Sequence, residues 1–377
     1  MKNILYISPF SRIGGGEVSL LILLKNLNRQ MFKPLLTCYA EGPLVQHAKK
    51  LNIKTIIFKR DSFFSNFILI LKIFRYIKEN NVHLVHVNCL DTRAGIAAWL
   101  ARVPFIGHLR VIFPYTWRDR FFVRLSHKVI AVSNAVIDTF CREKPSYREK
   151  FDIIPNPVEI PRSLAPVPLR KEYGIPNDTK LVGVIGRIDP WKGYEYFIRS
   201  AAIITGQRSD VFFFIIGGVV PGNRDEEKYL DILKSQVDEL GLKDHFFFTG
   251  FRNDVPEVIK AFNVLVVPSV VLKKDGGEIT EGFGRAAVEA MAVEVPVVAS
   301  NIGGLKEIVE DKVSGILVNP GNPRAIAEAV LSILTDESKA RRLGEAGKKR
   351  AKELFDVHNA IERVTELYFE VLKKRGK

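Results

Sequence analysis

The chain has 377 residues, 47% of them hydrophobic and 26% charged; this suits two domains with separate cores and excludes the disordered and low-complexity classes. Its three cysteines, Cys38, Cys89 and Cys141, are scattered, which excludes a disulfide framework or a cysteine zinc site and favours a reducing cytosol. The net charge of +14 sits in the first part, where residues 1–165 carry 25 Lys and Arg against 11 Asp and Glu, while residues 166–377 carry 31 of each. Such an imbalance points to an anionic partner, whether a membrane surface, a phosphorylated acceptor or nucleic acid, or to a basic surface that serves solubility alone.

In chain order, Met1 to Ser8 is too short in its apolar part for a signal peptide and reads as a first buried strand. No run of about 18 apolar residues occurs, so a membrane span is not expected. Gly14-Gly15-Gly16-Glu17 follows, just before a helical pattern over Val18–Leu27. Glycines there let the backbone approach an anion at a helix start, and a tight turn explains them equally well. The third glycine of a dinucleotide fingerprint is missing, because position 19 is Ser. Further strands are predicted at Leu35–Tyr39, Lys54–Phe58, Leu84–Val87, Phe105–Ile106 and Val129–Val132, with a helix over Ala94–Leu100. Strand and helix in alternation imply an open parallel α/β sheet. Two stretches join cations to apolar residues: Phe63–Lys78, and Trp117 to Lys128 with Arg118, Arg120 and Arg124. Either could rest on an anionic leaflet or be an ordinary core helix with a basic edge.

Pro155, Pro157, Pro161, Pro166 and Pro168 then mark a semi-rigid linker. The alternation restarts, with strands predicted at Leu181–Ile185, Phe212–Ile216, Phe246–Thr249, Val264–Val267, Val295–Ala299 and Gly315–Val318, and long helices from Pro323 onward. Two such domains place the default ligand site at the carboxyl ends of their strands, in a cleft. Within Gly183-Val184-Ile185-Gly186-Arg187-Ile188-Asp189-Pro190-Trp191-Lys192-Gly193 a strand gives way to two cations near a helix start, which suits a diphosphate or a solvated loop. In Glu281-Gly282-Phe283-Gly284 to Glu289-Ala290-Met291, a carboxylate at a glycine loop precedes another on a helix, about 12 Å further along its axis. Glu345/Glu353 and Glu362/Glu370 share that spacing without a glycine loop, so the glycines carry the signal and the spacing does not.

Taken in order, these motifs resemble the retaining glycosyltransferases of family 4, which have the GT-B architecture. The second half resembles them nearly throughout, adding Val266-Val267-Pro268-Ser269, Pro296 to Ser300, Gly303-Gly304 with Glu307-Ile308-Val309, and Gly315 to Gly321. The first half matches through Gly14-Gly15-Gly16, Val103-Pro104 with His108, Ala131-Val132-Ser133 and Ile154-Pro155-Asn156.

The resemblance implies an α/β fold of two Rossmann-like domains facing a cleft. Residues 1–160 would bind the acceptor and 161–355 the nucleotide sugar, with a last helix in 356–377 packing back on the first domain. It implies a hexosyltransferase that needs no metal or other cofactor and passes a sugar from a nucleotide-sugar donor to a glycan or lipid-linked acceptor. Arg187 and Lys192 would neutralise the diphosphate, and Glu289 would take the ribose hydroxyls. Glu281, with the Phe283 and Gly284 amides, would hold the sugar, and His108 would touch it. Gly15 and Gly16 would lie against the diphosphate or acceptor, and Phe251 and Arg252 would flank the base. The chain departs from the family in the long Val270–Thr280 segment before Glu281, a loop whose role as a lid the sequence leaves open, and in Pro157, where glycine is usual. A cytoplasmic location follows, with the basic half on the inner face of the plasma membrane. No nucleic acid is expected. The alternatives are a sugar-nucleotide epimerase of the same fold and a nucleic-acid-binding protein.

Overall fold

The computed structural model describes residues 1–59, 65–220, 222–274 and 276–373. The chain forms two compact units, one made of residues 1–157 with the chain from Asp356 onward, the other of Val158–Phe355. The sequence placed this boundary after residue 160. The Val158 amide already donates to the Phe355 carbonyl at 2.9 Å, which ties the linker to the second unit sooner.

The first unit holds seven strands: β1 (Lys2–Ser8), β2 (Phe32–Cys38), β3 (Lys54–Ile57), β4 (Val82–Val87), β5 (Phe105–Leu109), β6 (Lys128–Ala131) and β7 (Phe151–Ile153). All pair in parallel, in the order β3-β2-β1-β4-β5-β6-β7. Ile4, Leu5, Tyr6 and Ile7 of β1 are fully buried, as a strand covered on both faces requires, and this is why it reads as an unbroken apolar run. The helix Thr92–Leu100 starts where Asp91 accepts the Arg93 amide at 3.0 Å. The helix Trp117–Leu125 starts at a reciprocal cap between Thr116 and Asp119. The last helix, Val357–Lys373, completes this unit's core: Val364, Leu367, Tyr368 and Val371 are buried in it, and Tyr368 meets Phe32 edge-on at 5.6 Å. Phe63 and Phe64 of the predicted apolar-basic stretch lie outside the described residues.

The second unit carries β8 (Lys180–Ile185), β9 (Val211–Ile216), β10 (Phe246–Gly250) and β11 (Val264–Val267), a small antiparallel pair β12 (Leu272–Lys274) and β13 (Gly277–Ile279), then β14 (Val297–Ser300) and β15 (Ile316–Val318). Its main sheet is parallel, in the order β10-β9-β8-β11-β14-β15. This unit differs from the sequence reading in two places. The strand predicted from Val295 begins at Val297, because Pro296 has no N–H to give the ladder, although its carbonyl still accepts from Leu265 at 2.9 Å. The segment read as a loop holds a hairpin, in which β12 and β13 pair antiparallel from Leu272 opposite Ile279 to Lys274 opposite Gly277. No helix among the described residues is long and apolar enough to cross a membrane.

In each sheet the strand order reverses once, at β1/β4 and at β8/β11. There the loops leave in opposite directions and open a crevice at the strand ends. Near the second reversal, Gly183 of β8 lies under the Phe262 ring, which a Cβ would overlap. Gly183→Ala is expected to destabilise the second unit by about 1–3 kcal/mol through overpacking, seen as a lower urea midpoint that Phe262→Leu partly restores.

Candidate active site

Each reversal gathers one cluster, and each cluster lies within its own unit. At β8/β11, the one-turn helix Pro190–Lys192 brings Lys192 to Glu281, Nζ to Oε2 at 2.7 Å, with Nζ also 4.0 Å from the Trp191 ring centre. Ser269 Oγ donates to the same carboxylate oxygen at 3.3 Å. The loops carrying these residues are joined where the Val270 amide donates to the Trp191 carbonyl at 2.8 Å. Glu281 is held from behind by backbone: the Gly304 amide donates to its carbonyl at 2.9 Å. A Cβ on Gly303, which has φ of 49°, would overlap that carbonyl oxygen, and one on Gly304 would overlap the Gly282 carbonyl. Gly284, at φ of 102°, caps the helix Arg285–Ala292 in a left-handed conformation and packs against Leu305.

The other sequence-predicted residues of this unit fall as follows. Glu289 lies on the helix that Gly284 caps, paired with Arg285 Nε at 2.7 Å. Arg187 is about half exposed and bonded to Asp189 at 2.9 Å, with Glu226 at 3.8 Å, so its charge already has acidic company. Phe283 is buried edge-on against Phe355. Arg252 is clamped between Asp254 at 2.7 Å and Glu172 at 2.6 Å, which together hold it firmly charged, while Phe251 beside it is 63% exposed over Gly218.

At β1/β4, Gly15 and Gly16 open the helix Gly15–Asn26, and the Gly14 amide is closed by Glu17 Oε2 at 3.1 Å. Behind Gly16 runs Arg110, whose Cδ would lie 3.1 Å from an added Cβ. Arg110 is buried and donates from Nε to Asn88 Oδ1 at 3.0 Å, from one terminal nitrogen to Asn156 Oδ1, and from the other to His108 Nδ1 at 3.1 Å. His108 Nδ1 also lies 3.2 Å from His86 Nε2, and His86 Nδ1 is 2.6 Å from the Tyr368 hydroxyl, itself 2.9 Å from that of Tyr6. Gly16 and His108 therefore both lie against Arg110. Tyr6, His86 and Tyr368 have no counterpart in the sequence reading. The available signal was two polar residues, His86 and His108, each one position before the end of adjacent, mostly apolar strands. Burial first, and then the Arg110 charge, depress both histidines; His86 falls to about 3 and His108 well below its ordinary value.

Among the described residues no cluster of three or more His, Cys, Asp or Glu side chains could hold a metal ion.

Comparison with known proteins matches residues 168–350 to the family Glycosyl transferases group 1 and residues 13–162 to Glycosyltransferase Family 4. An uncharacterised glycosyltransferase of Methanocaldococcus jannaschii is 30% identical over 67% of this chain, an alignment spanning 62% of that protein. The UDP-Gal:alpha-D-GlcNAc-diphosphoundecaprenol alpha-1,3-galactosyltransferase of Escherichia coli is 23% identical over 97% of this chain and 99% of its own. Among solved structures, Anabaena HepE in complex with UDP-glucose is 26% identical with a TM-score of 0.85, covering 98% of this chain and 100% of that one.

The depressed histidines make a prediction about stability. An unfolded histidine binds its proton near 6.5, whereas folded His86 resists until about 3, so the unfolded state binds more protons in between. The stabilisation is complete above about 6.5 and is lost as pH falls toward 3. Melting temperature is expected to fall between pH 6.5 and 4, with a shallower slope in His86→Gln.

Proposed function

The chain belongs to the group 1 glycosyltransferases, family 4, and from that premise we propose that it is a retaining hexosyltransferase needing no metal. It moves a sugar from a nucleoside-diphosphate donor to a glycan or lipid-linked acceptor in surface polysaccharide, lipopolysaccharide or glycolipid synthesis. The observation that carries this reading is the Lys192–Glu281 pair at the β8/β11 reversal, backed by glycine contacts that fix its direction. Lys192 gives one hydrogen to Glu281 and has two left for diphosphate oxygens. With the outer edge of Arg187 it stabilises the charge that grows on the diphosphate as the bond to the sugar breaks. Glu289 accepts from the ribose hydroxyls. Glu281 and the amides of Phe283 and Gly284 hold the sugar, which His108 also contacts. Gly15 and Gly16 approach the diphosphate or acceptor, and Phe251 and Arg252 flank the base. A UDP-hexose is the donor proposed, supported by the UDP-glucose complex of Anabaena HepE.

A calorimetric panel of UDP-, GDP- and ADP-sugars is expected to show binding of UDP-glucose or a close relative. Glu289→Ala should weaken it by about 10-fold or more, and Lys192→Met should lower kcat by roughly 100- to 1,000-fold. Undiminished donor binding by Glu289→Ala would remove the site assignment, and release of an epimerised sugar nucleotide would assign the epimerase reaction instead.

A second proposal concerns where the enzyme works: in the cytoplasm, attached reversibly to an anionic leaflet by its first unit. The support is the adjacency of three helices. Ser65–Glu79 exposes Phe67, Ile68 and Leu71, Thr92–Leu100 exposes Trp99 and Leu100, and Trp117–Leu125 exposes Trp117 and Phe121. Lys72, Arg75, Arg118 and Arg124 are exposed on the same helices. Liposomes containing phosphatidylglycerol should float the protein at low salt and release it at high salt. Trp117→Ser with Phe121→Ser should abolish flotation.

A further inference from the structure

The network behind Gly16 has a direction, and Arg110 sets it. A guanidinium can only donate, so His108 Nδ1, 3.1 Å from it, must carry a lone pair. A neutral imidazole holds one proton, which leaves it on His108 Nε2. His86 Nε2, 3.2 Å from the same lone pair, must then be a donor too, since two facing lone pairs would repel. That leaves His86 Nδ1 to accept, and its neighbour at 2.6 Å is the Tyr368 hydroxyl. The Tyr368 hydrogen is thereby committed to His86, and the Tyr6 hydroxyl lies 2.9 Å from the Tyr368 oxygen. Tyr6, His86, His108 and Tyr368 are each at most 3% exposed, so water does not scramble the pattern. The burial that keeps both histidines neutral at pH 7 agrees with it.

Two donors are left over. His108 Nε2 is buried with no hydrogen-bond partner among the described residues, and so is the amide nitrogen of Asn88, whose oxygen is taken by Arg110 Nε. A buried donor without an acceptor costs about 1–3 kcal/mol, so two of them flanking one guanidinium call for an acceptor that arrives from outside. His108 also lines a small cavity with Ser19, Arg110, Ile154 and Val364, all within the first unit.

We propose that Arg110, His86 and Tyr368 are positioning residues that fix His108 as its Nε2–H tautomer, so that His108 gives a hydrogen bond to a substrate oxygen and removes no proton. The substrate group is an oxygen acceptor; under the function proposed above, on which this identification rests, it is a hydroxyl of the transferred sugar. The last helix of the chain thus reaches the chemistry through Tyr368 and His86, although it carries none of the residues that touch substrate.

The test uses the full-length protein with 15N-labelled histidine and long-range proton–nitrogen correlation at pH 7, with peaks assigned by His86→Gln and His108→Gln. Both histidines are expected to show a bare Nδ1 and a protonated Nε2. Tyr368→Phe should move the His86 ring nitrogens and, through them, those of His108. A protonated Nδ1 on His108, or a Tyr368→Phe that leaves both rings unchanged, would overturn the proposal. This arm needs no ligand, so it stands or falls independently of the proposed transfer activity. In the transfer assay with UDP-glucose, His108→Gln keeps a donor where Nε2 stood and should stay within about 10-fold of wild type, whereas His108→Glu, which puts an acceptor there, should fall well below it. Tyr368→Phe should lower kcat by about 2- to 10-fold with little change in KM. Equal activity of His108→Gln and His108→Glu would refute the donor role even if sugar transfer is established.

Discussion

The carbonyl oxygens of Glu281 and Gly282 lie so close to Gly303 and Gly304 that no Cβ fits between the two segments, and the Gly304 amide closes the contact at 2.9 Å. This backbone-on-backbone approach joins the chain that follows β13 to the chain that follows β14. It sets the direction in which the Glu281 side chain leaves its backbone, and Lys192 meets the carboxylate from the loop after β8. Neither side chain could choose that geometry from the surface, because flexible stems in open solvent lose more entropy than an exposed pair returns. Partly buried and anchored through backbone, the pair holds a fixed geometry of its own, and this is what supports the proposed role in stabilising a leaving group.

The first unit reaches a comparable order by a different route. Its buried cation, Arg110, meets three neutral acceptors in Asn88, Asn156 and His108, and its hydrogens orient them all. Because a guanidinium cannot accept, the polarity spreads outward through His86 to the hydroxyl of Tyr368. Low exposure makes every member depend on its neighbour, since an unmatched polar atom there has no water to turn to. Both arrangements stand at the point where a parallel sheet reverses its strand order. That is the one place in such a sheet where the strand ends are not roofed by crossovers on the same side.

The positive charge of the first unit is less free than its total suggests. Arg120 is paired with Glu143, Lys128 with Asp152 at 3.0 Å, and Arg118 lies over the Trp117 ring at 5.5 Å. What the surface presents is a band of aromatic and aliphatic side chains on three neighbouring helices, edged by the remaining cations. Charge alone would suit any polyanion; the apolar band is what supports the proposal of a lipid surface.

The sequence by itself determined the alternation of strand and helix, the two-part division and the motifs at the strand ends. These follow from local burial: Ile4 to Ile7 and Phe212 to Ile216 are apolar because both faces of a parallel strand are covered. It was weaker where a short element had little pattern to show, as in the three-residue β7 and the β12–β13 hairpin. Tertiary structure alone decided which polar residues act together. His86 and Tyr368 stand 282 positions apart and meet only because the last helix returns to the first unit. Gly303 and Gly304 look like a turn until the Glu281 backbone is seen against them. Periodicity records whether a side chain is inside or outside. Which partner it finds there is set by chain segments whose separation no local pattern encodes.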